Sequence, residues 1–401
     1  MVDAAASMRA RQAPTADISP TQRRVVVSAA TGEALEAYAR LVERGLAAPA
    51  QSAAWISGWV ANVEADALLA TIHIDDQPAL SVGLEVSRSG PLTVCGFMGG
   101  RHANGNFPAT DPALLADLSP AAFLDLFESI HRARPDIDLL KLERLAPQLG
   151  DVPNPLLRLD HYPSSNVALA LSLDGGFDAV LNRTSAKRKR KKHRSQTRKF
   201  DAAGGFRRIR ASTPEEVDRL LNIFFEMKEQ RFRKMGIANV FGDPAVRRFF
   251  RELFAQSLGP SPSFVLHGLE VGGKLRAITG SSVCGDRLIC EFGAIAEDDM
   301  AHASPGDFLF FENICEAARS GFAVYDFSVG DEPYKRLWCN IETTQYDVIV
   351  PFTLKGRAFA GALRAATAAK AAVKNHPALW NLVKRLRKGA AGAESTSTDG
   401  D

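Results

Sequence analysis

The chain has 401 residues, 46% of them hydrophobic and 24% charged, with a net charge of +3. That composition supports two domains with sizeable cores and excludes a disordered or fibrous protein. No run approaches the roughly 18 uncharged apolar residues of a membrane span, and the start, MVDAAASMRARQAPTADISPTQ, lacks the apolar stretch of a secretory signal.

Residues 1–22 read as a flexible tail rich in Ala, Ser, Thr and Asp. RRVVVSA (23–29) predicts a strand. GEALEAYARLVERGL (32–46) and QSAAWISGWVANV (51–63) predict helices, the second with Trp55 and Trp59 on one face. Strands follow at 67–75, 79–87 and 92–99, with turns expected at Gln77-Pro78 and Gly90-Pro91. A polar loop, GGRHANGNFPATDP (99–112), precedes a helix starting at Ser119-Pro120 and a strand over 137–145.

The same order then recurs. NVALALSL (166–173) predicts a strand, 177–200 one long basic helix, and FRRIR (206–210) another strand. Helices are expected over 214–236 and 243–257, and strands over 263–270, 275–284 and 287–296, with hairpin turns at Gly272-Gly273 and Gly285-Asp286. A helix from Ser304, strands at 322–327 and 345–352, two C-terminal helices (356–372 and 377–387) and a second tail (389–401) complete the list. Each half reads as helices, a three-strand meander, a helix and a strand, which argues for an internal duplication.

The basic excess is local. Seven Lys and Arg lie in KRKRKKHR (187–194), and without them 42 basic residues stand against 46 acidic ones. Like charges at i, i+4 repel by ~0.2–0.5 kcal/mol a pair, so an anionic partner would relieve the helix. An anionic membrane surface would contribute ~1 kcal/mol per basic residue, and a solvated face needs no partner at all. No aromatic interrupts the run, so nucleic-acid base recognition is not expected. The five cysteines form no CxxC pair and the eight histidines are scattered. Reduced thiols, no metal and a cytoplasmic chain follow as expectations, held peripherally at the inner membrane face if 187–194 meets anionic lipid.

Chemistry concentrates after the strand at 322–327. Asp331 and Glu332 are candidate general bases, Tyr334 a proton donor to a leaving thiolate, Lys335 a phosphate or carboxylate partner and Trp338 a pocket wall. A solvated turn with Trp338 in the core fits the same letters. Glu291 interrupts an apolar strand, so it is paired, catalytic or on an exposed face. Ser304 is placed as an N-cap with Pro305 behind it. Gly306 then offers amides to a pyrophosphate, and Asp307 opposes one. Lys228 and Arg231 share a helix face, and His102 lies in the first half's polar loop; all three could face an acceptor.

YDFSVGDEPYKRLW (325–338) resembles the signature of GNAT-fold acyltransferases of the CelD type, which are similar to FemAB transferases. EMKEQRFRKMGIANVF (226–241), SPGDFL (304–309), the GGRH loop and the basic helix are similar to the same group. The resemblance implies an α/β fold with tandem GNAT-like domains over 23–160 and 161–355, each a mixed, largely antiparallel sheet flanked by helices. It implies acetyl-CoA as co-substrate and a small-molecule or saccharide acceptor, in cellulose or exopolysaccharide synthesis. Asp326, Gly330, Asp331, Pro333, Tyr334, Lys335 and Trp338 carry the motif. Ser304, Gly306, Asp307 and Phe308 fall at the expected diphosphate seat, and His102, Lys228, Arg231 and Asp326 on the acceptor side. The chain has HASPGD (302–307) where the family carries Arg/Gln-x-x-Gly-x-Gly/Ala, which keeps FemAB-like aminoacyl transfer open.

Overall fold

A computed structural model describes residues 22–363. The first half contains β1 (Arg23–Ala29), α1 (Gly32–Arg44), α2 (Ala53–Val63), β2 (Asp66–Ile74), β3 (Gln77–Ser89), β4 (Leu92–Phe97), β5 (Ala109–Thr110), α3 (Pro120–Ala133) and β6 (Leu139–Leu145). Two short strands, β7 (Gln148–Leu149) and β8 (Val152–Pro153), lead to β9 (Tyr162–Ser172). The second half contains α4 (Gly176–Arg183), α5 (Ala186–Ala202), β10 (Phe206–Arg210), α6 (Pro214–Lys234), α7 (Pro244–Gln256), β11 (Phe264–Val271), β12 (Lys274–Cys284) and β13 (Arg287–Ile295). It ends with α8 (Pro305–Arg319), β14 (Val324–Val329), α9 (Pro333–Arg336) and β15 (Ile341–Pro351).

One continuous sheet runs β1-β2-β3-β4-β6-β15-β9-β14-β13-β12-β11-β10, with β5 on the side of β3. Each half builds an antiparallel meander, then crosses through a helix to a parallel partner: β4 with β6 through α3, β13 with β14 through α8. The strands next to these partners are exchanged. β9, which follows the first half, pairs with β14 of the second, while β15 returns to pair with β6 and also with β9. The exchange satisfies both inner edges, so neither half ends in unpaired backbone at the junction.

Turn chemistry corrects two readings. The β2–β3 turn is Asp75-Asp76, both at positive φ (47° and 62°), and Gln77 and Pro78 belong to β3. Pro78 is tolerated there because the ladder shifts register between Ile72 and His73. The expected single basic helix is broken at Thr184-Ser185 into α4 and α5. A further helix begins at 354 and is described to residue 363; the helix expected at 377–387 and the tails lie outside the described residues, save residue 22.

A single aromatic core joins the two halves. Trp55 and Trp59 of α2 meet Phe249 of α7 edge-on, with centroids 5.0 and 4.9 Å away. Phe224, Phe225, Phe241 and Phe250 continue the cluster to the sheet. Gly280 on β12 lets the Phe292 ring lie flat on the sheet, since a Cβ there would overlap that ring.

Candidate active site

The second half's sheet opens at β13. β13 and β14 pair only from Arg287–Val324 to Ile289–Asp326, and beyond that the strands part. At the same level β13 carries one extra residue, because Gly280 pairs with Phe292 and Ser281 with Cys290. The unpaired residue is Glu291. A bulge re-aims a side chain, and this one aims a carboxyl group between the two halves of the molecule. The first half also parts after three pairs, Val94 to Gly96 against Leu139 to Lys141. There the β3–β4 ladder has no bulge and the gap is occupied by the chain's own loop: Asn106 N–H donates to Arg144 O at 2.8 Å, and Ala146 N–H to Asn106 O at 3.0 Å.

Glu291 lines a cavity of about 250 Å³ between the halves, together with His102, Asn104, Lys228 and a ring of aromatics including Trp55 and Phe292. Burial, helped by the nearby Asp326 carboxylate and opposed by Ser282 Oγ, donating at 2.6 Å, and by the Asn104 amide, raises the Glu291 pKa to about 7. Burial lowers the Lys228 pKa to about 8, with Arg231 adding repulsion and Glu332 and Cys290 acting the other way. His102 is held by its surroundings. Its ring sits 4.8 Å from Phe241 and 5.3 Å from Phe250, Nε2 lies 3.1 Å from the Val240 carbonyl, and burial lowers its pKa to about 4. It is therefore neutral at pH 7, packed into the aromatic wall with Nε2 on the Val240 carbonyl. Arg231 is exposed and is not among the cavity's lining residues, though it is near enough to repel Lys228.

The 331–338 segment is a short helical turn, where a loop was expected. Lys335 is its anchor. The side chain is 4% exposed, and Nζ donates to Val329 O at 2.7 Å and Ser328 O at 3.5 Å and pairs with Glu332 at 3.0 Å. All three ammonium protons are thus committed within the turn, leaving none for a phosphate. Lys335→Met is expected to destabilise the fold by about 1–3 kcal/mol, since two carbonyls lose their donor; urea unfolding measures it. Asp331 is exposed and pairs with Arg336. Asp326 accepts from Arg287 Nη1 at 2.8 Å and from the Ser328 N–H at 2.7 Å, which holds the strand end where β14 departs. Tyr334 stacks on Phe310 at 5.5 Å and stays 42% exposed. Burial, then Cys290 and Glu332, raise its hydroxyl pKa, so it keeps its proton at neutral pH.

The start of α8 is closed. Ser304 takes a left-handed conformation (φ 54°) and its side chain makes no cap bond. The amides of Asp307 and Phe308 make ordinary first-turn bonds to Ser304 O at 3.1 and 3.3 Å, and Pro305 brings no N–H. Gly306 is buried against Ile295, and Phe308 lies in the core between Phe200 and Phe206, each 5.1 Å away. Asp307 pairs with Lys192 at 2.9 Å. These residues do not fit the open amide cradle that a diphosphate needs.

α5 closes it. Although α5 looks polar all round, Lys189, His193, Gln196 and Phe200 recur at helical spacing and all point inward. Lys189 Nζ lies 3.4 Å over the Trp338 ring and donates to Leu337 O at 2.8 Å, and burial lowers its pKa to about 8. His193 stacks on Phe308 and Phe311 at 4.4 and 4.1 Å, and Gln196 donates to Ala303 O and Ser304 O, both at 3.0 Å. Trp338, 3% exposed beneath Lys189, is a core residue and not a pocket wall. The sequence reading gave Ser282 and the aromatics Phe241, Phe250 and Phe292 no role; nothing local marks them, because four separate segments, β12, the α6–α7 loop, α7 and β13, bring them together.

Residues 187–336 match the family model of an acetyltransferase (GNAT) domain. No curated protein matches the chain significantly. Among solved structures the chain is similar to FemX, at 13% identity and a TM-score of 0.55 over 79% of this chain and 96% of that one. It is similar also to a conserved protein of unknown function from Bacteroides thetaiotaomicron VPI-5482 (13% identity, TM-score 0.50, 82% and 100% covered). A tandem GNAT protein from the clavulanic acid biosynthesis pathway aligns at 12% identity and a TM-score of 0.47, covering 83% of this chain and all of that one. At such identities the structural likeness speaks to fold alone. No helix among the described residues is long and apolar enough to cross a membrane. With a matched acetyltransferase domain spanning the bulged strand and the turn beyond it, the chain has the GNAT fold and is an acyltransferase of GNAT type.

Proposed function

We propose that the enzyme transfers an acyl group to an amine or hydroxyl of an acceptor held in the cavity between the halves, with Glu291 as general base. The observation that carries this is the bulge: it puts a carboxyl group with a pKa of about 7 on the cavity wall, where β13 and β14 part. Glu291 takes the proton as the acceptor's nitrogen or oxygen bonds to the acyl carbon. The bond from that carbon to the donor's sulfur or oxygen breaks, and Tyr334, still protonated at neutral pH, returns a proton to the leaving group. This moves the base from Asp331 and Glu332, both committed to ion pairs, to Glu291. Lys228 on the cavity wall, with Arg231 on the neighbouring surface, suits an acceptor with a negative group. A saccharide of cellulose or exopolysaccharide synthesis, a CelD-type role and a membrane surface met by 187–194 stay within this reading.

The donor separates two readings. GNAT acetyltransferases use acyl-CoA, which makes acetyl-CoA the first candidate. The closed start of α8 favours a second, an aminoacyl ester donor of the FemAB kind, and the likeness to FemX agrees with it. A thermal-shift panel of acetyl-CoA, longer acyl-CoAs and plain CoA decides between them. A donor at a hundredfold its Kd should stabilise the chain by ~2.7 kcal/mol. No shift with any CoA species, and transfer from aminoacyl-tRNA, would select the second. Tyr334→Phe is expected to lower kcat with donor binding retained; unchanged turnover would remove Tyr334 as the acid.

A further inference from the structure

A second cavity, of about 430 Å³, lies under the C-terminal half of α8. It is on the opposite face of the sheet from Glu291's cavity. Leu266 and His267 are neighbours on β11 and so point to opposite faces. Leu266 enters the aromatic core under α6 and α7, and His267 enters the space beside Glu316 of α8.

His267 is 3% exposed, yet neither ring nitrogen has a hydrogen-bond partner. The Glu316 carboxylate stands 3.7 Å from Nε2, beyond hydrogen-bond reach. That carboxylate is already engaged by Arg208 and, at 3.3 Å, by Arg210. Arg208 also donates to Asn313 Oδ1 at 2.8 and 3.1 Å. Arg210 makes only the one long bond, and the rest of its donor fork is open at the cavity mouth. Arg208 also feels the Glu312 carboxylate, so Arg210 is the less engaged of the two guanidinium groups. The remaining lining sets Val265, Val283, Leu288 and Phe322 beside the polar Ser261, Ser263, Asn313 and Ser320. A buried histidine with both nitrogens unmet is costly to keep, and the space is far larger than a bridging water needs.

We propose that this cavity binds a small organic carboxylate, its headgroup on the His267 N–H and the Arg210 fork and its apolar body against Val283, Leu288 and Phe322. A single negative charge matches the open Arg210 fork. A phosphate brings more charge than the site balances and has no apolar body to fill it.

The test uses the full chain with ring-15N-labelled histidine, titrated with benzoate, hexanoate, isovalerate and inorganic phosphate. His267 signals are identified by their loss in His267→Phe. At least one carboxylate should shift them saturably, and phosphate should not. Arg210→Met should weaken that binding by about tenfold or more, the factor carried by one charge-assisted hydrogen bond. Glu291→Gln should leave the titration unchanged, which separates this site from the acyl-transfer reading. Silence of His267 with all three carboxylates up to their solubility, an equal response to phosphate, or full affinity in Arg210→Met would overturn the proposal.

Discussion

Glu291→Gln is expected to lower acyl transfer by about 10²–10⁴-fold, the usual contribution of a general base. The amide keeps the shape of the side chain and an acceptor for Ser282 but takes up no proton. In the wild type, kcat/KM should rise with pH through about 7, because only the ionised form accepts a proton. The variant should lose that limb. Stability should respond in the opposite sense. The folded pKa lies above the ordinary 4.5, so the fold holds the proton more tightly than the unfolded chain does. Ionisation therefore opposes folding: the penalty is absent below about 4.5, grows as pH rises and is complete above about 7. Urea midpoints of Glu291→Gln should overtake the wild type across this window. A full pH limb in the variant, with equal turnover, would remove Glu291 as the base.

Trp55→Ala is expected to cost about 3–5 kcal/mol, the range for emptying a buried aromatic site. The indole links the halves: it meets Phe249 and Phe250 of α7 and Phe264 of β11, with centroids 5.0, 6.2 and 6.3 Å away. Its Nε1 donates to Met98 O at 3.3 Å, so truncation also leaves a buried carbonyl without its donor. Trp55 lines Glu291's cavity as well, and its loss would enlarge that space on the first half's side. Trp55→Phe should recover much of the stability, since it refills most of the volume. Denaturant unfolding of both variants measures the difference, and a loss below about 1 kcal/mol in Trp55→Ala would mean the halves are held together elsewhere.

Local pattern carried most elements of the fold. Alternation and helical spacing marked the meanders and helices, since side-chain period follows backbone geometry. The turn at Asp75-Asp76 was missed because two aspartates at positive φ carry a weaker signal than the Gln-Pro beside them. The inward face of α5 was missed for a related reason. Lys189, His193 and Gln196 are polar letters, and only contact with Trp338, Phe308 and the Ser304 carbonyl makes them a packed surface.

The site divides along the same line. Pattern and element order by themselves determined an α/β chain in which one arrangement recurs, the enzyme class came from the resemblance at 325–338, and Glu291 was visible as a charge inside an apolar strand. Its role among the carboxylates was not visible there. Asp331, Glu332 and Glu291 are equal as letters, and their pKa values depend on burial and neighbours contributed by distant parts of the chain. Tertiary structure alone decided that two of them end in ion pairs at a turn while the third sits on a bulge facing the cavity between the halves. It alone decided the exchange of β9 and β15, because strand partners are chosen by open edges across the molecule and not by any residue within the strand.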